Sequence, residues 1–406
     1  MPGPHAQVTD WSAKPIVDWL LHKGRHLPTP QAVVGELCPR VRAAGMPIDR
    51  VGFFFWTLHP QYFGVALFWD GERVRLEHGA HGIRQTREYL DSPIRRIIEG
   101  ERVVRRRIAD PHCPIDFPVL EDLRKEGVTD YVMSEVVFSG DRRNAVSLAT
   151  RRAGGFSDHD IREVEELLHP FALIMENFTN RDLARTLLET YLGRITGARV
   201  LDGQIRRGDG EEIEAVIWFS DLRDSTPLAR QLGGRAFLEL LNDYFEATAG
   251  AVLAHDGEVL RFIGDASLAV FPISGDPGSA TRRGAFGRAA EAARGARARA
   301  QAANQRRREA GAAPFAFGLG LHAGRVLYGN IGTDKRLEFS VIGSAANETA
   351  RIEELCKAVK RDIVVSAAVA AELDAELPRL GRFRLRGLDH PVDIHALPEA
   401  GGVDGS

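Results

Sequence analysis

Apolar and polar positions recur along this chain with two periods, and the switch from one to the other marks its elements. Residues 51–58 and 62–69 alternate as strands do, and Asp70-Gly71 makes a hairpin turn before a third strand over 73–78. Residues 131–139 and 144–150 form a second hairpin joined through Ser139-Gly140-Asp141. The spacing then lengthens. Ile161, Val164, Leu167, Leu168, Phe171, Ile174 and Met175 recur every three or four residues, which predicts a helix. Ser157 caps it, and Asp158 and Asp160 in its first turn suit the helix dipole. Leu183, Leu187, Leu188 and Leu192 carry the stripe on, with a bend expected at 177–180. The stripe either covers the sheet before it or forms a dimerising signalling helix. Its length, beyond what one domain needs to cover itself, favours the second. Gly203, Gly208 and Gly210 then read as breakers in a linker.

From 213 the order is a strand ending at Asp221, a long helix over 228–255, a hairpin of 258–263 and 266–271, and a helix over 279–308. Strands at 315–322 and 337–342, a helix over 345–359, a strand at 363–366 and a terminal pair at 381–386 and 392–397 follow. This predicts an α/β (α+β) sandwich with helices on one face of a mainly antiparallel sheet.

A length of 406 residues implies two or three domains. With 44% hydrophobic and 27% charged residues, the composition is that of a soluble globular protein. No apolar run approaches the ~18 residues of a membrane span. Met1 to Gln7 lacks the pattern of a signal peptide, so a cytoplasmic protein is expected. Cys38, Cys113 and Cys356 form neither a disulfide framework nor a zinc pattern, and no cysteine–histidine constellation within 1–155 marks a haem or metal site. The net charge of −3 gives no general attraction to nucleic acid. The arginine- and alanine-rich stretch 280–311 reads as a solvated helical face rather than a nucleic-acid or lipid surface, and His322 as structural.

Two aspartates carry the chemistry. Asp221 ends the apolar run Ala215-Val216-Ile217-Trp218-Phe219-Ser220, and Asp265 sits in the Gly264-Asp265 turn. A buried strand end tolerates a bare carboxylate only when a cation or donor meets it. Two on neighbouring strands make an oxygen-rich site for Mg²⁺ or Mn²⁺. Asn347 and Arg351, four residues apart on one helix face, add an amide and a guanidinium suited to phosphate.

Phe219-Ser220-Asp221-Leu222, the run from Arg261 to Phe271, and Phe339-Ser340-Val341-Ile342-Gly343 followed by Asn347 and Arg351 occur in order. Together they resemble the catalytic domain of class III adenylate/guanylate cyclases, which has a ferredoxin-like core. The resemblance implies that Asp221 and Asp265, joined by the Leu222 carbonyl, hold two Mg²⁺ or Mn²⁺ ions. One ion would activate the ribose 3′-hydroxyl, and both would draw charge from the α-phosphate. It implies that Asn347 and Arg351 orient the ribose and stabilise the transferring phosphate, and that Thr226 and Arg386 bind substrate. Arg261 stands at the base-reading lysine position and Ser340 at its partner, where a hydroxyl resembles the bacterial class IIIb subgroup and suits adenine. Arg261 itself departs from the family, as do Asp224 and Ser225 where it usually places Gly and Phe. A carboxylate at 224 repels a triphosphate unless it turns outward or pairs, with Arg223 for instance.

The implied protein is an adenylate cyclase converting ATP to 3′,5′-cyclic AMP and pyrophosphate in a homodimer with shared sites. The element order of the N-terminal part resembles a GAF-type sensor for an unknown ligand, giving domains at 1–156 (sensor), 157–211 (signalling helix and linker) and 212–406 (catalytic). The rival readings are a catalytically weak nucleotide-binding scaffold, which the departures motivate, and a guanylate cyclase. A diguanylate cyclase is disfavoured because its Gly-Gly-Asp/Glu-Glu-Phe signature is absent.

Overall fold

A computed structural model describes residues 11–398 apart from Asp374, Gly387 and Asp389. The reading of Met1 to Gln7 lies outside these residues. The chain divides into two compact units, Met1–Leu187 and Leu188–Ser406.

The first unit contains α1 (Lys14–His22), α2 (Pro30–Ala43), β1 (Arg50–Trp56), β2 (Gly64–Trp69), β3 (Val74–Gly79), α3 (Arg87–Leu90), α4 (Pro93–Glu99), β4 (Val103–Arg106), α5 (Pro118–Lys125), β5 (Asp130–Phe138) and β6 (Arg142–Thr150). Helix α6 (Asp158–Leu192) begins in this unit. Six strands form one antiparallel sheet in the order β3-β2-β1-β6-β5-β4. The alternation in β1 splits its aromatics. Phe53 and Phe55 face a core shared with Phe171 of α6, with Phe53 and Phe171 centroids 4.5 Å apart, while Phe54 turns away to meet Phe68. Val164, Leu167, Leu168, Phe171, Ile174 and Met175 are all buried in that core, so this half of the α6 stripe covers the first unit's sheet. The helix runs unbroken through 177–180. Ser157 does cap it: Asp160 N donates to Ser157 Oγ at 3.1 Å, and Ser157 N donates back to Asp160 Oδ2 at 2.8 Å. Asp160 is more than a first-turn acid. It is buried and also accepts from Trp11 Nε1 at 2.9 Å and Arg152 at 2.5 Å.

The second unit continues with α7 (Arg194–Leu201), β7 (Gly210–Leu222), α8 (Ser225–Leu232), α9 (Gly234–Ala254), β8 (Glu258–Ile263), β9 (Ala266–Ile273), α10 (Ala280–Glu309), β10 (Phe317–Thr333), β11 (Arg336–Ile342), α11 (Ser344–Val359), β12 (Ile363–Ser366), α12 (Ala367–Ala370), β13 (Arg379–Phe383) and β14 (Val392–Ala396). Its sheet runs β13-β14-β12-β10-β7-β9-β8, with β11 paired to β10.

Four expectations need correction. Gly210 belongs to a strand rather than a linker, because its backbone pairs with Gly329. The helix expected over 228–255 is broken at Gly233, whose φ of 74° only glycine adopts freely. The strand expected at 315–322 runs on to Thr333, since β7 and β11 supply ladder partners on both sides and override its glycines. The helices also lie on both faces of the sheet. In β10, Leu319 and Leu321 point to the core shared with α9 and α10, while Gly318, Gly320 and Gly324 present bare backbone to α11. A Cβ at Gly320 would lie 2.8 Å from Glu353 N and 2.9 Å from Thr349 O, so only glycine lets α11 settle there. Among the described residues, no helix is long and apolar enough to cross a membrane.

Helix α10 is not simply a solvated face. Ala289, Ala290, Ala292, Ala293, Ala296, Ala300 and Ala303 form its buried side, in the core shared with the sheet and α9. Its arginines reach neighbouring elements: Arg282 to Glu214 at 2.6 Å, Arg297 to Asp362 at 2.6 Å and Arg307 to Asp243 at 2.5 Å.

Candidate active site

The end of β7 places Asp221, and the β8–β9 turn places Asp265. The two meet through the backbone, where Leu222 N donates to Asp265 O at 3.2 Å. Behind them, the buried Ser220 hydroxyl bonds Ser267 Oγ at 2.8 Å and Tyr244 Oη at 3.0 Å, fixing β7 to β9 and α9. Partial burial, then the charge of Asp265, push the Asp221 carboxyl above the usual carboxylate range. That is the cost of two like charges sharing a half-desolvated site. The adjacent cation does not neutralise them. Arg223, just past the end of β7, turns to Glu353 of α11 at 2.6 Å. Glu353 is 2% exposed, and burial pushes its carboxyl up to about 7 against the lowering effect of Arg223. The pair occupies the space that the missing side chain of Gly318 leaves, directly across the ladder from Asp221. Arg223 therefore does not pair with Asp224.

Asp224 is exposed and adopts the left-handed conformation, φ 54° and ψ 34°, just ahead of α8. Thr226 lies exposed in the first turn of α8. Two carboxylates and the nearby Leu222 carbonyl are hard oxygen donors of the kind Mg²⁺ or Mn²⁺ takes. Among the described residues, no three His, Cys, Asp or Glu side chains are placed to hold a metal.

A second group of residues gathers on β8 and β11. Ser340 is 2% exposed, and its hydroxyl has no hydrogen-bond partner among the described residues. Arg261 donates to Glu338 at 2.8 Å, a residue on the same face of β11 as Ser340. Sequence reasoning missed Glu338, which lies two residues before Ser340 and 77 from Arg261.

On α11, Asn347 is exposed and Arg351 half-buried, and neither has a side-chain partner among the described residues. Arg386 is exposed and equally unpartnered. No hydrogen bond or ion pair among the described residues joins Asn347, Arg351, Thr226 or Arg386 to either aspartate. One chain thus holds the aspartate pair and the Arg261–Glu338–Ser340 group without bonding them together. His322 bonds Ser366 Oγ through Nδ1 at 2.9 Å, and its Nε2 lies 3.4 Å from Glu348. Burial holds its pKa below the usual range, which fits a structural role.

A buried carboxylate that the sequence reading did not single out anchors the start of the second unit. Glu258, at the head of β8, is 2% exposed. It accepts from Thr196 N at 2.7 Å, Thr196 Oγ1 at 2.8 Å and Tyr328 Oη at 2.6 Å. Helix α7 is thereby fastened to the strand that leads through Arg261 to Asp265.

An uncharacterised protein of Mycobacterium tuberculosis is 35% identical over 239 residues, which cover 58% of this chain and 42% of that protein. Adenylate cyclase 1 of Rhizobium meliloti is 27% identical over 184 residues, 45% of this chain and 27% of that protein. The chain therefore spans about two fifths or less of the length of these relatives. Among solved structures, the guanylyl cyclase Cya2 is 27% identical with a TM-score of 0.41, covering 48% of this chain and 96% of that one. The adenylyl cyclase CyaB from P. aeruginosa is 23% identical with a TM-score of 0.41, covering 47% and 96%. The family model described as the adenylate and guanylate cyclase catalytic domain matches residues 210–398. Those residues, which carry the aspartate pair, the Ser340 group and the Asn347–Arg351 face, are an adenylate and guanylate cyclase catalytic domain.

Proposed function

We propose that the chain is an adenylate cyclase, converting ATP to 3′,5′-cyclic AMP and pyrophosphate in a head-to-tail homodimer under the control of its N-terminal unit. The observation that carries the reading is the aspartate pair, brought together at the ends of adjacent strands while Arg223 turns away to Glu353. Divalent ions held there by Asp221, Asp265 and the Leu222 carbonyl would polarise the α-phosphate and acidify the 3′-hydroxyl. Asn347 orients the ribose, and Arg351 meets the charge that grows on the phosphate with a fork of donors.

The dimer reading is supported by the lack, among the described residues, of any hydrogen bond or ion pair joining Asn347 or Arg351 to the aspartate pair. It is also supported by the apolar side chains of Phe262, Ile263, Leu327, Ile331 and Ile342, exposed on the strands around Arg261 and Ser340. A second copy would cover them and complete each site. In the N-terminal unit, the sheet and helix order support the GAF-like reading. A cavity of about 300 Å³ there, with Phe55, Leu67, Met175 and Phe178 as floor and Tyr62 and His78 at its rim, is a candidate seat for the sensor ligand.

Substrate choice is assigned to Ser340, whose hydroxyl makes no hydrogen bond among the described residues and can both donate to and accept from adenine. One observation favours GTP as a second reading. Glu338 lies beside Arg261, and a carboxylate there could accept from the two donors on guanine's edge. Purified protein incubated with Mn²⁺ and either nucleotide tests both readings. Cyclic AMP formed from ATP well ahead of cyclic GMP from GTP supports the first, and the reverse order supports the second. No cyclic product from either would leave only a nucleotide-binding scaffold.

A further inference from the structure

We infer that Glu353 is a positioning residue that keeps Arg223 off the aspartate pair, so that both carboxylates stay available to divalent cations. The inference deepens the proposed metal reading and rests on it.

Asp221 lies at the end of β7, and Arg223, just past it, directs its guanidinium into the space left by Gly318 opposite Asp221. Its ion pair is made with Glu353, at 2.6 Å, and with neither aspartate. The surroundings impose that choice. Gly318 sits opposite Asp221, and a methyl there would overlap both the Arg223 guanidinium and the Glu353 carboxylate. Leucines alternate with Gly318 and Gly320 along β10, so the bare side of the strand faces α11 and brings Glu353 down to it. Arg223 side-chain exposure is 23% and that of Glu353 is 2%, so the charges meet with little water between them. Apart from the Glu353 backbone carbonyl, which accepts from Arg223 Nη2 at 3.5 Å, the opposite charges at this strand end and the neighbouring turn are Asp221 and Asp265. An arginine bound there competes directly with a cation, because both need the same oxygen lone pairs.

The test measures Mn²⁺ binding to the full-length protein without nucleotide, by the electron paramagnetic resonance signal of free Mn²⁺. Thermal unfolding of each variant checks that it folds. Glu353→Gln is expected to weaken binding by about tenfold, roughly 1.4 kcal/mol. Removing the competitor as well, in Arg223→Gln/Glu353→Gln, is expected to return binding to near the wild-type value. A merely structural role for the pair predicts the opposite, since losing both partners should harm the site at least as much as losing one. Wild-type affinity in Glu353→Gln overturns the inference, as does a double variant as weak as the single one. If Glu353→Gln does not fold, Gly318→Ala displaces the pair by its methyl and is expected to weaken Mn²⁺ binding in the same way. Unchanged binding there overturns the inference too. A wild-type protein that binds no Mn²⁺ overturns the metal reading itself, and this inference with it.

Discussion

Gly320→Ala tests the central packing claim, that α11 is seated by backbone contact with β10. The added Cβ would meet Glu353 N at 2.8 Å and Thr349 O at 2.9 Å. Both are backbone atoms within α11, so no side-chain rotation relieves the overlap. Restoring an ordinary contact of 3.4 Å requires α11 to retreat by about 0.6 Å. Overpacking of this kind costs about 1–3 kcal/mol. In a domain of this size that lowers the unfolding midpoint by roughly 2–4 °C per kcal/mol. Asn347 and Arg351 ride on the same helix. A misplacement of 1 Å can cost about a hundredfold in rate, so a shift of this size should cost about tenfold in kcat. Calorimetry and a Mn²⁺-dependent cyclase assay read the two effects. Gly287→Ala in α10 is the control, because its Cβ meets nothing within 4 Å. There helix propensity alone should raise stability by up to ~1 kcal/mol and leave the rate unchanged. A Gly320→Ala protein that keeps both the wild-type midpoint and the wild-type rate would refute the contact argument.

Three further outcomes are expected. Asp221→Ala and Asp265→Ala should each abolish cyclase activity with the fold intact, and retention of activity within about tenfold of wild type counts against the metal assignment. Mixing Asp265→Ala with Arg351→Ala subunits should restore activity through one intact shared site, and a mixture that stays dead although heterodimers form refutes the shared site. Ser340→Ala should narrow the ratio of kcat/KM for ATP over GTP by about 1–3 kcal/mol, and an unchanged ratio moves base choice elsewhere. A fourth concerns pH and the first unit. Hydrogen bonds from Ser139 N and Oγ, and then Arg142, hold the Glu176 carboxyl below its usual range despite burial. A lowered folded value means the stability it contributes is present above the unfolded carboxylate range and lost as pH falls through the folded value. Unfolding midpoints of Glu176→Gln and wild type should therefore converge below about pH 4, and a constant gap across that range refutes the assignment.

The candidate site was legible where its chemistry is local. The apolar run to Asp221, the Gly264-Asp265 turn and the four-residue spacing of Asn347 and Arg351 each announce themselves within a few positions. Partners far apart in sequence were not legible. Arg223 meets Glu353 across 130 residues, and Arg261 meets Glu338 across 77. Each of these arginines has several acids at comparable sequence distance, so only the folded sheet selects one. The long course of β10 was hidden for a different reason. Gly324, Gly329 and Gly332 look like breakers when their propensity is weighed alone, whereas paired strands on both sides satisfy the backbone and reward close approach. The alternation of Gly318, Leu319, Gly320 and Leu321 did contain the signal, because a strand with one leucine face and one glycine face must have a helix pressed onto the second.

The anchoring of Thr196 on Glu258 changes how a truncation would have to be read. The family-model match begins at residue 210, which invites a catalytic fragment cut there. Such a fragment strips two of the three donors from a carboxylate that is 2% exposed, and opens the site where Gly193 packs against it. A buried charge robbed of its partners costs several kcal/mol. The strand that would absorb the disturbance is the one ending at Asp265. A silent fragment starting at 210 would then say nothing about whether the N-terminal unit switches the enzyme on. A fragment cut ahead of Gly193 keeps the anchor, and only its activity separates lost regulation from a damaged fold.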